Sequence, residues 1–187
     1  MSHAAPNKKA LVVVDIQNDY FPGGRWTLSR VEEAATQAAR VIDRFREQGD
    51  PVVHIRHEFK DQDAPFFRPG SEGAQIHESA RNREDEPVVL KHFINSFRET
   101  ELKPILDRHG ITEVVVVGNM SHMCVDGMTR AAVDFGYPTT VLHDACATLD
   151  LEFNGVKVPA EHVHAAFMAA LSFGYAQVIS TTEYLSR

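Results

Sequence analysis

Cysteine is scarce: the 187-residue chain holds two, Cys124 and Cys146. A small secreted scaffold stapled by disulfides normally carries more, so reduced thiols in a cytoplasmic protein are expected. Basic charge is scarce as well. Lys and Arg number 19 against 26 Asp and Glu, a formal net charge of −7. Nucleic acid or an anionic membrane needs a basic face, so neither is expected as a partner. Long apolar runs are missing. Leu11–Val14 is far too short for a signal-peptide core or a membrane span, and no other segment approaches one. Internal repeats, low-complexity tracts and linkers are absent too, so one domain over residues 1–187 is expected.

Apolar residues make up 43% of the chain, enough at this length for a real core. Ala10–Ile16, Pro51–Arg56, Pro87–Leu90, Glu113–Val117, Pro138–Leu142 and Gln177–Ser180 read as strands. The first and fourth are nearly pure valine, the pattern of strands buried on both faces of a parallel sheet. Helical spacing runs through Ser29–Gln48, with Val31, Ala34, Ala35, Ala38, Val41, Ile42 and Phe45 on one face, Ser29 as cap and Gly49 as stop. Further helices are read at Thr100–His109, Met123–Phe135 and Pro159–Phe173. Alternating strands and helices imply right-handed crossovers and an α/β fold with a parallel sheet covered on both faces. Ligand sites in such sheets form beyond the strands' carboxyl ends. The stretch Glu58–Glu86 is long for a simple connection, and long loops in compact domains are often functional. No Gly-rich phosphate loop follows the first strand, which argues against a flavodoxin-type cofactor binder.

Three polar residues fall just past strand ends: Asp15, Lys91 and Cys124. Singly, each has an ordinary explanation as a cap, a solvated edge residue or a small core residue. Together they carry nucleophilic chemistry. The thiolate is the reactive form of cysteine, and an adjacent helix N-terminus and ammonium both favour it. Asp15 can accept the thiol proton and later return it to a leaving amine. Gly118 lets the chain turn sharply before the nucleophile, and backbone N–H groups at such a turn are natural oxyanion donors.

The segments that carry these residues are Asp15-Ile-Gln-Asn-Asp-Tyr-Phe21, Val89-Leu-Lys91 with Asn95-Ser-Phe97, Gly118-Asn-Met-Ser-His-Met-Cys124-Val, and Asp144-Ala-Cys-Ala-Thr148. Together, and in this order, they resemble the isochorismatase-like cysteine hydrolases, which include nicotinamidases, carbamoylsarcosine amidases and ureido-acid amidohydrolases. The resemblance implies a three-layer α/β/α sandwich with a six-stranded parallel sheet of order 3-2-1-4-5-6. It implies Cys124 as nucleophile, Asp15 as acid/base and Lys91 as electrostatic support. It also implies a cis peptide at Asn119–Met120 and an oxyanion hole from the N–H groups of Met120 and Cys124. Relatives often assemble, so a homo-oligomer is expected.

The chain departs from nicotinamidases at the second strand. Their metal ligands do not match His54-Ile-Arg-His57, and residues three apart on a strand face opposite ways. No metal or other cofactor is therefore expected. Cys146 is read as a packing residue in the site wall, and His162 and His164 as packing or subunit-contact residues. The substrate is expected to be a small molecule. Its pocket is expected from Gln17, Phe21, Trp26, Phe66, Arg68, Phe93 and Asn95, with Phe67 and Phe97 near it, and with Arg68 free to grip a carboxylate. The expected activity is thiol-dependent cleavage of a small amide or ureido C–N bond. Two alternatives stand: a vinyl-ether hydrolase acting on isochorismate, which would not need Cys124, and a non-catalytic binding protein, which would not need all three polar residues.

Overall fold

The computed structural model describes residues 8–187. In chain order the elements are β1 (Lys9–Val14), α1 (Val31–Gln48), β2 (Val52–His57), β3 (Val88–Lys91), α2 (Leu102–Arg108), β4 (Glu113–Asn119), α3 (Asp126–Asp134), β5 (Thr139–Ala147), β6 (Leu151–Phe153), β7 (Val156–Val158), α4 (Ala160–Gly174), β8 (Gln177–Ile179) and α5 (Thr181–Leu185). Six strands form one parallel sheet, ordered β3-β2-β1-β4-β5-β8. This is the expected order. The sixth strand carries the number eight because an antiparallel hairpin, β6–β7, stands where the sequence suggested only a loop.

Successive side chains of a strand point to opposite faces, and here both faces are covered. Leu11, Val13, Val115 and Val117 pack beneath α1. Ala10, Val12, Val14, Val114 and Val116 pack with residues of α2, α3 and α4 on the other side. Each buried valine contributes about 1.5–3 kcal/mol relative to exposure, which is why β1 and β4 contain almost nothing else. All seven residues expected on the inner face of α1 are buried. Its start differs from expectation: Ser29 does not cap it. The N-cap position is Arg30, in the left-handed region, while the Ser29 N–H reaches across to the Thr148 carbonyl at 2.8 Å. Gly49 ends the helix as read, with φ 69°.

The parallel register brings the carboxyl ends together. Val14 lies opposite both Ile55 and Gly118, and His57 lies opposite Lys91. Gly118 has φ 119°, and a Cβ there would fall 1.9 Å from the Val14 carbonyl oxygen. The glycine thus permits the close approach of β4 to β1, rather than only a sharp turn. The 58–86 stretch has single 3-10 turns at Glu72–Ala74 and Glu78–Ala80. It is pinned over the end of β1 by Asn18 N–H to Gln75 O, 3.0 Å, and His77 N–H to Ile16 O, 2.9 Å. No helix among the described residues is long and apolar enough to cross a membrane.

Candidate active site

Four adjacent segments converge on one ammonium group. Lys91, the last residue of β3, places Nζ 2.8 Å from Asp15 Oδ2, 3.1 Å from Cys124 Sγ and 2.7 Å from His57 Nδ1. Asp15 follows β1 with φ 49°, a left-handed conformation that an aspartate tolerates at a cost of about 1 kcal/mol. Cys124 follows β4 on a wide π-type turn, Ser121–Val125, which runs on into α3. The Asn119–Met120 peptide just before it is cis, as the family resemblance implies. The regular helix begins later than expected, so Cys124 sits in the wide turn rather than inside α3. Asp15 and Lys91 are 0% exposed and Cys124 is 3% exposed.

Burial decides the charge states. It disfavours the Lys91 ammonium, but the Asp15 charge beside it outweighs that and raises the lysine above its ordinary value. Cys124 goes the other way from the sequence expectation. Burial first, then the Asp15 charge, outweigh Lys91 and push the thiol up to about 12. At neutral pH Cys124 therefore rests as a neutral thiol, not as a standing thiolate. His57 is lowered to about 4, by burial and then by the Lys91 charge.

Asp15, His57 and Cys124 each offer a ligand atom, and these atoms lie within 4.8 Å of one another. The position among them is already held by the Lys91 ammonium, so a metal cation could enter only if the lysine left. His54 turns away, with Nε2 3.0 Å from Glu86 Oε2, a carboxylate also gripped by Arg46. The two strand histidines do not converge, and the residues present do not fit the metal site of the nicotinamidases.

The Ser121–Val125 turn that carries Cys124 is buttressed from β5 and α4. Ser121 Oγ lies 3.2 Å from the Ala147 carbonyl and 2.8 Å from His164 Nδ1, and His122 Nδ1 lies 2.6 Å from Thr148 Oγ1. His164 is thus a support for this turn, whereas His162 is exposed beside Glu161. Cys146 is buried, with Sγ 3.4 Å from the Leu142 carbonyl and its thiol pushed up to about 12 by burial, as suits a packing residue. It lines a cavity of about 490 Å³ together with Ser29, His143, Thr148 and His164, a cavity that none of Asp15, Lys91 and Cys124 borders.

The expected pocket residues separate into two groups. Trp26 and Phe66 stack at 4.7 Å and join Phe59, Tyr20 and Phe67 in an aromatic cluster that reaches His57, whose ring lies 4.7 Å from Phe59. The others have local partners. Phe21 stacks on His77 at 3.5 Å, Phe93 lies beneath Arg98 at 3.9 Å, and Asn95 Oδ1 accepts the Phe97 N–H. Arg68 Nε donates to the Ala64 carbonyl. Gln17 is fully buried and spends its amide on backbone: Oε1 accepts the His57 N–H, and Nε2 donates to the carbonyls of His57 and Ala74, each at 2.8 Å. Sequence reasoning missed Asp19, whose carboxylate accepts the N–H groups of Arg25 and Phe67 and so ties the aromatic loop to the first-strand segment. It also missed Tyr20, Phe59 and the contact between His57 and Lys91. The only available signal was their position beside segments already singled out.

This geometry agrees with what the chain resembles. The isochorismatase domain family matches residues 9–183. The uncharacterized isochorismatase family protein YddQ of Bacillus subtilis is 50% identical over 176 residues, 94% of this chain and 98% of that protein. A solved structure from Oleispira antarctica, assigned to the isochorismatase hydrolases, superposes with a TM-score of 0.95 at 56% identity and full coverage of both chains. A streptothricin hydrolase of Streptomyces noursei is 34% identical over 152 residues, 76% of this chain and 51% of its own. With a domain match over nearly its whole length and an acid, a lysine and a cysteine at the strand ends, this chain belongs to the isochorismatase family of hydrolases.

Proposed function

We propose that the protein hydrolyses a C–N bond of a small amide or ureido compound through a thioester on Cys124. The observation that carries this reading is the buried contact of Lys91 Nζ with both Asp15 Oδ2 and Cys124 Sγ, at 2.8 and 3.1 Å. The likeness to a streptothricin hydrolase lends further support.

Attack by the sulfur on the substrate carbonyl carbon forms the C–S bond as the thiol proton passes to Asp15. The carbonyl oxygen gains the negative charge, and the N–H groups of Met120 and Cys124 are the proposed donors to it. When the intermediate collapses, the C–N bond breaks and Asp15 returns its proton to the leaving nitrogen. Water, deprotonated by Asp15, then attacks the thioester and releases the acid and the thiol. Lys91 keeps the carboxylate and sulfur oriented and balances their charge throughout. The substrate's body lies against the aromatic cluster of Trp26 and Phe66. The two reduced cysteines suit a cytoplasmic location. Exposed Phe153 and Phe173, 77% and 95% accessible, suit a homo-oligomer.

A screen for ammonia or amine release over small amides, ureido acids, nicotinamide and isochorismate tests the reading. Turnover is expected with wild type and Cys146→Ala, and none with Cys124→Ala. Turnover surviving in Cys124→Ala would overturn the nucleophile assignment and favour vinyl-ether hydrolysis. Silence over the whole panel would favour a binding role.

A further inference from the structure

We infer that His57 is a positioning residue for Lys91, and that it acts as a neutral acceptor supplied from β2. The inference rests on the proposed chemistry only for what Lys91 then does. The contact itself stands on geometry.

A lysine ammonium has three protons to donate and no lone pair. Three candidate acceptors surround Nζ, each from a different segment: Asp15 after β1, His57 at the end of β2 and Cys124 after β4, at 2.8, 2.7 and 3.1 Å. Nζ is within hydrogen-bond reach of His57 and Cys124 and ion-paired with Asp15, so the ammonium cannot rotate freely, and its position relative to the sulfur and the carboxylate is set. Because lysine only donates, His57 Nδ1 must present its lone pair. The ring is then the tautomer with the proton on Nε2, and a protonated ring would put two donors 2.7 Å apart. The ionisable neighbours of the ring are Lys91, Asp15 and His92.

The choice of a histidine has a physical reason. A second carboxylate at this place would leave two anions and one cation buried together beside the thiol, at a large desolvation cost. An apolar residue would leave one ammonium proton without a partner, which is also unfavourable in a dry site. A neutral imidazole satisfies the third proton and adds no charge, at the cost of leaving its buried Nε2–H, among the aromatic rings, without a hydrogen-bond partner. Gln17 completes the device. Its side chain bonds both the N–H and the carbonyl of His57 and ties them to Ala74, so the backbone from which the ring reaches cannot shift along the strand. Asp15 thus acts on Lys91 directly, while Gln17, two residues later, acts on it through His57.

Ring packing is the competing explanation, since His57 also lies against Phe59 and Phe67. Two measurements on the full chain separate them. The first is a long-range ¹H–¹⁵N correlation of the histidine rings in ¹⁵N-labelled protein. His57 is expected with its proton on Nε2 throughout neutral pH, and Lys91→Met is expected to move its protonation upward, toward that of an ordinary histidine. A proton on Nδ1 in the wild type would refute the contact. The second compares His57→Asn, whose amide oxygen can take the place of Nδ1, with His57→Leu, which keeps bulk but accepts nothing. On the substrate found in the screen, the Leu variant should lose about ten- to a hundredfold in kcat, the worth of one hydrogen bond to a charged group, with little change in KM. The Asn variant should recover most of that loss. Equal damage in both variants, or none in the Leu variant, would overturn the positioning role. The tautomer needs no substrate, so it fails or holds independently of the thiol chemistry, which Cys124→Ala tests.

Discussion

Removing the Lys91 charge should be more damaging than removing its whole ion pair. In Lys91→Met the side chain keeps its length and apolar stem, but Asp15 is left 0% exposed with no cation. Opposite unit charges at the observed 2.8 Å attract by about 6 kcal/mol at an effective dielectric near 20. Much of that attraction offsets the desolvation of both groups, so the single variant should lose about 3–5 kcal/mol of stability. Adding Asp15→Asn removes the stranded charge, and the double variant should regain most of the loss while staying inactive. Urea unfolding followed by circular dichroism at pH 7 measures both, and similar denaturant slopes would make the midpoints directly comparable. The interaction energy comes from the cycle of the two single variants and the double. A loss below about 1 kcal/mol for Lys91→Met, or a double variant no more stable than the single, would show that the pair is not the buried couple described above.

Two other outcomes follow from the same geometry. Gly118→Ala places a Cβ 1.9 Å from the Val14 carbonyl at φ 119° and should destabilise by about 3 kcal/mol or more; a melting temperature within ~2 °C of wild type would contradict the close approach of β1 and β4. Acid should destabilise the fold early. The unfolded chain takes up the His57 proton near 6.5 and the folded one only near 4, so this contribution is complete above pH 6.5 and is lost as pH falls to 4, about 3 kcal/mol in all. Burial also lowers His54 and adds to the same limb. His57→Asn should flatten the stability–pH curve between 6.5 and 4, and an unchanged slope in denaturation series across that range would refute it.

Much of the fold was legible because one physical rule wrote it. Strands buried on both sides must be apolar at every position, so the valine runs of β1 and β4 announced a covered parallel sheet. Asp15 and Cys124 were legible because they follow such runs, and Lys91 because it closes the short apolar strand β3, which lies at the sheet edge with Val88 and Leu90 exposed. What escaped depends on pairing between distant segments. His57 meets Lys91 only through the register of β2 and β3, which no local pattern encodes. The neutrality of the Cys124 thiol follows from how deeply it is enclosed, and a sequence gives neighbours along the chain but not depth. Ser29 reads as a cap by residue type, yet its backbone is drawn to Thr148, 119 positions later in the chain by the numbering of the sequence. The aromatic residues of the long stretch were visible as a group, but which of them gather was set by Asp19 holding the Phe67 backbone.

The enclosure of Cys124 has a consequence for how the protein ages. Peroxide and other oxidants react with thiolates far faster than with thiols, and a sulfur that is both protonated and screened from water offers them little. On the proposed chemistry the thiol gives up its proton only as substrate is attacked, so between turnovers the sulfur stays in its unreactive form. Such a protein should survive long exposure to air without a reductant, with its shelf life set by how often the enclosure opens rather than by the number of its cysteines.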